Sequence, residues 1–94
     1  MPDSFEIPLQ EAAFIAIKAL AFISQIDAEM TKFLAETGLH SSDVIRLKEN
    51  LDFLGGVLDF VNRDESLMMA FSTSEGFAPD RIEKAQLTLQ GVGA

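Results

Sequence analysis

Apolar residues recur along the chain at helical spacing, and no segment alternates strictly between apolar and polar positions as a half-buried strand does. The first such stretch covers residues 9–24 and carries a single charge, Lys18, between residues 12 and 23. A helix that is apolar on all sides must be covered on all sides. This pattern therefore predicts a first helix that lies at the centre of the domain or under a second subunit.

Five shorter helices are predicted downstream, separated by capping residues and stop glycines. Asp27 and Asp64 are predicted to be the N-caps of the second and fifth helices, and Gly38 and Gly76 are predicted to end them. The third helix is expected after residues 40–42, the fourth over residues 51–61 and the sixth after Pro79. The apolar side of the third helix is expected to consist of Val44, Ile45, Leu47 and Leu51. The tail at residues 91–94 is expected to fray.

The sequence also repeats weakly at an offset of 38 positions. Pairs at this offset are Phe22 with Phe60, Met30 with Met68, Phe33 with Phe71, and Gly38 with Gly76. Because these positions belong to the apolar stripes and stop residues, residues 14–51 and 52–89 are interpreted as two related units that follow an extension at residues 1–8. Two units are too few for a solenoid. We therefore predict one all-α domain over residues 1–94, a compact bundle of five or six helices built from two related helix–Gly turn–helix units.

Composition and charge narrow the possible functions. The 94 residues include 15 acidic and 7 basic side chains, for a net charge of −8, and the chain has no cysteine. The 48% hydrophobic content and eight phenylalanines are too high for a disordered chain. The negative charge disfavours binding to nucleic acid, and the lack of cysteine excludes thiolate metal sites and favours a reducing cytoplasm over secretion.

A membrane location is not expected. The N-terminal ten residues contain two acids and no base, whereas a secretory signal begins with a positive segment. The most apolar stretch, residues 9–23, is shorter than the roughly 20 residues that span a bilayer. We interpret it as a core helix.

Candidate chemistry is sparse. His40 is the single histidine and falls in a predicted turn without a visible nucleophile or carboxylate set. Glu49, Asp52 and Asp59 would share a face only on one continuous helix, and Asp59 is expected to pair with Arg63 four residues later. We predict no catalytic residues, metal or cofactor, and a solvated acidic face; metal binding or acid–base chemistry on that face is a second alternative.

Residues 33–47 also have the spacing of a helix-turn-helix, with a glycine turn followed by an apolar residue and a second apolar helix. The helix that would read DNA, residues 42–49, has no net charge. A nucleic-acid-binding regulator is therefore kept as the first alternative function.

The leading hypothesis is a small non-enzymatic interaction protein, either a homodimer or bound to another protein. Its expected surface has three parts. The apolar first helix contributes Phe14 and Ile17. The run at residues 67–71 is too apolar to be buried on one face only, so either Leu67 or Met69 must face outward or into a neighbour. Core filling is one interpretation of this run; the other is that Met69 and Phe77 help to form the surface. The helix-weakening pair Gly55 and Gly56 suggests close approach by another backbone.

The combination of several short segments resembles a known family. The segments are Ala19-Leu20-Ala21-Phe22, residues 33–39, Phe53-Leu54, residues 57–60, Asp64-Glu65 and residues 67–71. Together they resemble domain of unknown function family 3572, a group of short acidic bacterial proteins. Members commonly have a proline after the Gly-apolar turn, which this chain keeps at Pro79 but replaces by Ser41 in the first unit. The resemblance implies a bacterial cytosolic protein and supplies no activity.

Overall fold

In the computed structural model, residues 7–91 are described, and they form six α-helices without a strand. The helices are α1 Leu9–Ser24, α2 Asp27–Thr37, α3 Ser41–Leu47, α4 Leu51–Asn62, α5 Glu65–Glu75 and α6 Pro79–Gly91. The prediction of an all-α bundle is confirmed. The Cα radius of gyration is 12.7 Å, close to the roughly 12 Å expected for a compact domain of this length.

The core lies between α1, α4 and α6, which pack on one another at the centre of the bundle, while α2 and α5 cover the sides of α1 and α4. Fully buried aliphatic residues of the three central helices, such as Ile15, Leu58 and Leu89, meet there. Phe33 of α2 and Phe71 of α5 are 1% and 0% exposed and fill the two flanks. Helices of seven to sixteen residues are thus held mainly by their apolar faces rather than by intrinsic propensity.

The two stop glycines end their helices as predicted. Gly38 and Gly76 adopt left-handed backbone conformations, with φ of 73° and 77°, at the ends of α2 and α5. Their N–H groups donate to the carbonyls of Leu34 and Ser72, each at 2.9 Å. Glycine enters this region without the steric penalty that a Cβ would impose.

One of the two predicted aspartate caps is confirmed and the other is wrong. The Asp64 carboxylate accepts the Leu67 N–H at 3.1 Å and caps α5. Asp27 instead is the first residue of α2, whose N-cap is Ile26. Ile26 and Asp64 have nearly the same extended backbone, φ −112° and −116°. The bend between α1 and α2 therefore fixes where α2 begins. No side chain caps the first turn of α2.

The α3 start also differs slightly from the prediction. The helix begins at Ser41, with His40 as N-cap, so residues 41 and 42 belong to its first turn and not to the preceding connection. The Asp43 carboxylate accepts the His40 backbone N–H at 3.0 Å. Since an acidic side chain at this position satisfies a donor at the helix start, the first turn forms one residue after His40.

Several helix bounds follow the 38-residue offset. The helices α2 and α5 start at residues 27 and 65 and end at 37 and 75, and α3 and α6 start at 41 and 79. The first helices differ in length, since α1 has 16 residues and α4 has 12. The last helices differ more, since α3 has 7 residues and α6 has 13. The repeat itself stays a prediction, because equal helix bounds do not establish equal packing.

Ile7, within the predicted extension, packs into the core. It is 6% exposed, and its carbonyl lies 3.5 Å from the Thr88 hydroxyl of α6. Residues 1–6 of the predicted extension and residues 92–94 of the predicted frayed tail lie outside the described residues. Gly91 is the last residue of α6.

No single helix within residues 7–91 is long and apolar enough to cross a bilayer. The helices α1 and α2 pass that test only as a pair, and they are bent by 115° at the break between them.

Candidate interaction surface

One face of α1 remains uncovered by the bundle. Its buried residues point to α4, α6 and the flanking helices, whereas the opposite side, here called the α1 outer face, consists of exposed residues. These are Gln10, Phe14, Ile17, Lys18, Ala21 and Ser24. Phe14 is 52% exposed and Ile17 is 42% exposed. The helix α1, which the sequence predicts to be covered on all sides, is therefore uncovered on one side.

Phe14 is supported by a row of aromatic rings that leads to the buried Phe71. It packs edge-on against Phe77, with 6.3 Å between ring centroids, and Phe77 in turn contacts Phe71 at 5.7 Å. Phe71 contacts Phe22 at 5.5 Å. Edge-to-face and tilted contacts of this kind stabilise ring pairs beyond their buried area. The row holds Phe14 in place while leaving half of its surface to solvent, and it brings together the predicted surface residues Phe14 and Phe77.

An open apolar groove adjoins the α1 outer face. The groove, here called the α1–α3 groove, has a volume of about 360 Å³. It is lined by Ile17, Leu20, Ala21, Ser24, Met30, Ser41, Val44, Ile45 and Lys48. The one charged residue of this lining is Lys48, and its ammonium group makes no ion pair within residues 7–91. This region is therefore almost free of charge on a protein with a net charge of −8.

A chain of side-chain hydrogen bonds joins α4 to α6. The Asn62 amide donates to Gln86 at 2.6 Å, and the Gln86 amide donates to Asp59 at 3.1 Å. Under the predicted 38-residue repeat, the corresponding positions are Ser24, Lys48 and Ala21. These three side chains cannot form the same amide–amide–carboxylate chain. All three line the α1–α3 groove, and they do not close it with such a chain.

Ile45 is the largest departure from the sequence prediction at this surface. The sequence places it on the apolar side of the third helix, yet it is 71% exposed, whereas the neighbouring Val44 is 9% exposed. Successive helical residues differ by about 100° in direction, so a single inward stripe on this seven-residue helix accommodates Val44 alone. The sequence signal that could have identified the exposed Ile45 is its place beside Val44 on a helix of only seven residues.

The remaining predicted surface residues lie elsewhere. Gly55 is buried against α6, where a Cβ would lie 3.2 Å from the Gln90 Cγ, while Gly56 is exposed with open space beside it. Only the first of the two glycines therefore serves close helix packing. Met69 is 45% exposed, but it projects from the side of α5 opposite to Phe71, away from the Phe14–Phe77 pair.

The three acidic residues of the predicted face do not lie on one continuous helix. Glu49 lies in the connection between α3 and α4, Asp52 is exposed in the first turn of α4, and Asp59 lies further along that helix. The expected ion pair is confirmed, since the Arg63 Nε donates to Asp59 at 2.9 Å. Within the described range, no three His, Asp or Glu side chains are grouped so that they could hold a metal ion.

A second cleft, of about 340 Å³, lies between α2 and the start of α5 and is polar. Arg63 donates to Glu36 there at 2.8 Å, and Lys32 lies 3.9 Å from Asp64 and 5.8 Å from the centre of the Phe60 ring. The hydrogen bond and charge of Glu36 raise the pKa of Arg63 above its ordinary value. The cations of this cleft are thus already engaged by carboxylates of the same chain.

The helix-turn-helix segment corresponds to α2, the Gly38 turn and α3. The seven residues of α3 make a helix only about 10 Å long. Its Arg46 donates to Asp43 at 2.9 Å, so this cation is held by a carboxylate of its own helix. Hydrogen bonds from the His40 backbone and from Arg46 lower the pKa of Asp43 below its ordinary value. This segment presents no cluster of uncompensated cations.

Comparison with known proteins agrees with the resemblance drawn from the sequence. The model of the family described as "Protein of unknown function (DUF3572)" matches residues 9–92, nearly the whole chain. Neither the curated proteins nor the solved structures include a significant match. The matched region contains all six helices, the α1 outer face and the α1–α3 groove. The chain belongs to the DUF3572 family.

Proposed function

We propose that this protein is a non-enzymatic, cytoplasmic interaction module that binds protein chains through the α1 outer face and the α1–α3 groove. The observation that carries the proposal is the continuity of the two regions. Ile17 belongs to both, with Phe14 one turn before it on α1 and Ile45 across the groove on α3. An apolar surface of this kind on an otherwise acidic domain is typical of a protein-binding site.

The exposed fractions of three side chains make binding at this surface energetically favourable. Phe14, Ile17 and Ile45 are 52%, 42% and 71% exposed. Covering apolar area contributes about 25 cal/mol per Å², and large side chains that project from a supported position are the usual anchors of protein contacts. The row of rings beneath Phe14 supports one such position. Binding would therefore require little reorganisation of this side chain.

The chemistry of the surface favours binding over catalysis. All side chains classed as buried within residues 7–91 are apolar, and the two side chains with displaced pKa values, Asp43 and Arg63, are held in surface ion pairs. Active sites usually place ionisable groups in a partly buried setting that shifts their pKa towards the reaction. The groove offers only Lys48 among such groups.

The test is the apparent size of the protein in lysate from cells that express it naturally. Ile45 and Leu87 are matched probes, since both are aliphatic, helical and exposed, at 71% and 68%. We expect the wild type and Leu87→Asp to elute in a complex larger than the 10.3 kDa chain, and Ile45→Asp to elute as a monomer. Circular dichroism establishes that both variants fold. Elution of all three proteins at the same position would contradict the proposal.

A further inference from the structure

The α1 outer face carries large side chains towards one end and small ones towards the other. Phe14 projects near the start of α1, 52% exposed, whereas Ala21 and Ser24 line the α1–α3 groove near the end of the helix. Phe14 and Ser24 are ten residues apart, which corresponds to about 15 Å along the helix axis. A single helix thus presents both a projecting ring and, about 15 Å away, an apolar depression.

We propose that the α1–α3 groove is occupied by Phe14 of a second copy of this chain, in a two-fold dimer of antiparallel α1 helices. The inference rests on the proposed function and names its partner. A two-fold axis at the level of Ala19 lies midway between Phe14 and Ser24 in the sequence. Across that axis, Phe14 of each copy faces Ser24 of the other.

The same axis also pairs the next residues of the α1 outer face. Ile17 and Ala21 are equally distant in sequence from Ala19, so each Ile17 faces Ala21 of the other copy. The two large apolar side chains of the face, Phe14 and Ile17, are then each opposed by a small one. The spacing of Phe14, Ile17, Ala21 and Ser24 alternates between three and four residues, which is the spacing of helices that pack along their length. A surface that is complementary to itself about a two-fold axis is what a homodimer requires.

The groove is large enough for its proposed occupant. A cavity of about 150 Å³ holds a benzene ring, and the groove has about 360 Å³. A phenyl ring that enters beside Ser24 would contact Ala21 of α1 and Ile45 of α3, which both line the groove. The half of Phe14 that its own chain leaves exposed would then be covered.

Charge favours this surface for contact between two acidic chains. Copies with a net charge of −8 repel one another at long range. None of the nine residues that line the groove is acidic, and Lys18 on the α1 outer face lies 3.9 Å from the Glu75 carboxylate, which offsets its charge. The two copies would therefore meet where local repulsion is smallest. Added salt should strengthen the dimer, because it screens the long-range repulsion.

Sedimentation of the purified full chain provides the first test. We expect a reversible dimer from micromolar to submillimolar concentration that becomes tighter in added sodium chloride. Phe14→Asp and the groove-filling Ser24→Trp should each raise the dimer Kd by about tenfold or more, whereas Leu87→Asp should leave it unchanged. A wild-type chain that sediments as a monomer throughout, or a Kd insensitive to both substitutions, would overturn the proposal.

A photoreactive benzophenone side chain at position 14 provides the second test, because it keeps an aromatic ring there. Irradiation should give a covalent dimer in which position 14 is joined to a peptide containing Ser24 or Ile45, and the same probe at position 87 should not. A dimer joined elsewhere would overturn the proposed arrangement. If the pure protein is a monomer but Ile45→Asp still dissociates a larger complex in lysate, the second copy is wrong as partner while the proposed function stands. If neither experiment detects association, both proposals fail.

Discussion

Phe14 packs its ring edge-on against Phe77, at 86° between the ring planes and 6.3 Å between centroids, and it nevertheless remains 52% exposed. The contact orders the side chain without burying it. Phe77 connects this exposed ring to Phe71, which is 0% exposed. A line of rings therefore leads from the core to the surface, and stability and binding should depend on different members of it.

Truncation of these rings should separate the two contributions. Phe71→Ala removes a fully buried ring and should lower the free energy of unfolding by about 3–5 kcal/mol. Phe14→Ala should lower it by only about 1 kcal/mol, since much of its area is already in contact with water. Urea unfolding at dilute protein concentration measures both values. Equal losses would contradict the description of Phe14 as a surface residue.

The glycines should respond to alanine with opposite signs. Gly56 is exposed within α4, and a Cβ added there would meet no atom within 4 Å, so Gly56→Ala should stabilise the protein by about 0.5–1 kcal/mol. Gly38 has a φ of 73°, and Gly38→Ala should destabilise it by about 1–2 kcal/mol. Thermal unfolding of the two variants tests this difference. Gly55→Ala should gain less than Gly56→Ala, because its Cβ would lie 3.2 Å from Gln90.

The two aspartates at helix starts should differ in importance. Asp64→Ala removes the side-chain acceptor of the Leu67 N–H and should cost about 1 kcal/mol. Asp27→Ala should cost less than half of that, because Asp27 lies inside the first turn and contributes only through the helix dipole. Chemical denaturation of the two variants provides the comparison, and a larger loss for Asp27→Ala would contradict the assignment of Ile26 as the N-cap of α2.

The start of α3 should be sensitive to acid. The hydrogen bond from the His40 backbone N–H is the largest cause that lowers the pKa of Asp43, and the hydrogen bond from Arg46 is the second. A carboxyl whose pKa is lower in the folded state stabilises that state fully above its unfolded pKa, and the contribution is lost as the pH falls through the folded value. A carboxyl-carbon NMR titration should therefore place the Asp43 midpoint lower in the wild type than in Arg46→Ala. Identical midpoints would contradict the contribution of Arg46.

Local signals explain why much of the fold was predictable from the sequence. Gly38 and Gly76 end their helices in a left-handed backbone conformation that favours glycine, and within residues 7–91 they are the two residues that adopt it. The Asp59–Arg63 pair also follows from helical spacing. Asp27 was misassigned because its chemistry suits a cap, while the bend between α1 and α2 places Ile26 at that position.

The interaction surface was only partly predictable because it depends on how helices pack. Phe14 and Ile17 follow from an α1 that is too apolar to be covered by so small a bundle. The groove does not follow, since it requires α3 to stand away from α1, as the exposure of Ile45 indicates. The different surroundings of Gly55 and Gly56 likewise depend on the position of α6, which no local pattern specifies.

Site-specific crosslinking in cells that express the protein naturally is the sharpest test of protein binding at the α1–α3 groove. A benzophenone side chain at position 45, on the groove, is compared with the same probe at position 87, on α6, two positions of similar exposure. We expect strong crosslinks to a protein chain from position 45 and few from position 87. Equal labelling from both positions, or none from position 45, would show that the groove is not a protein-binding site.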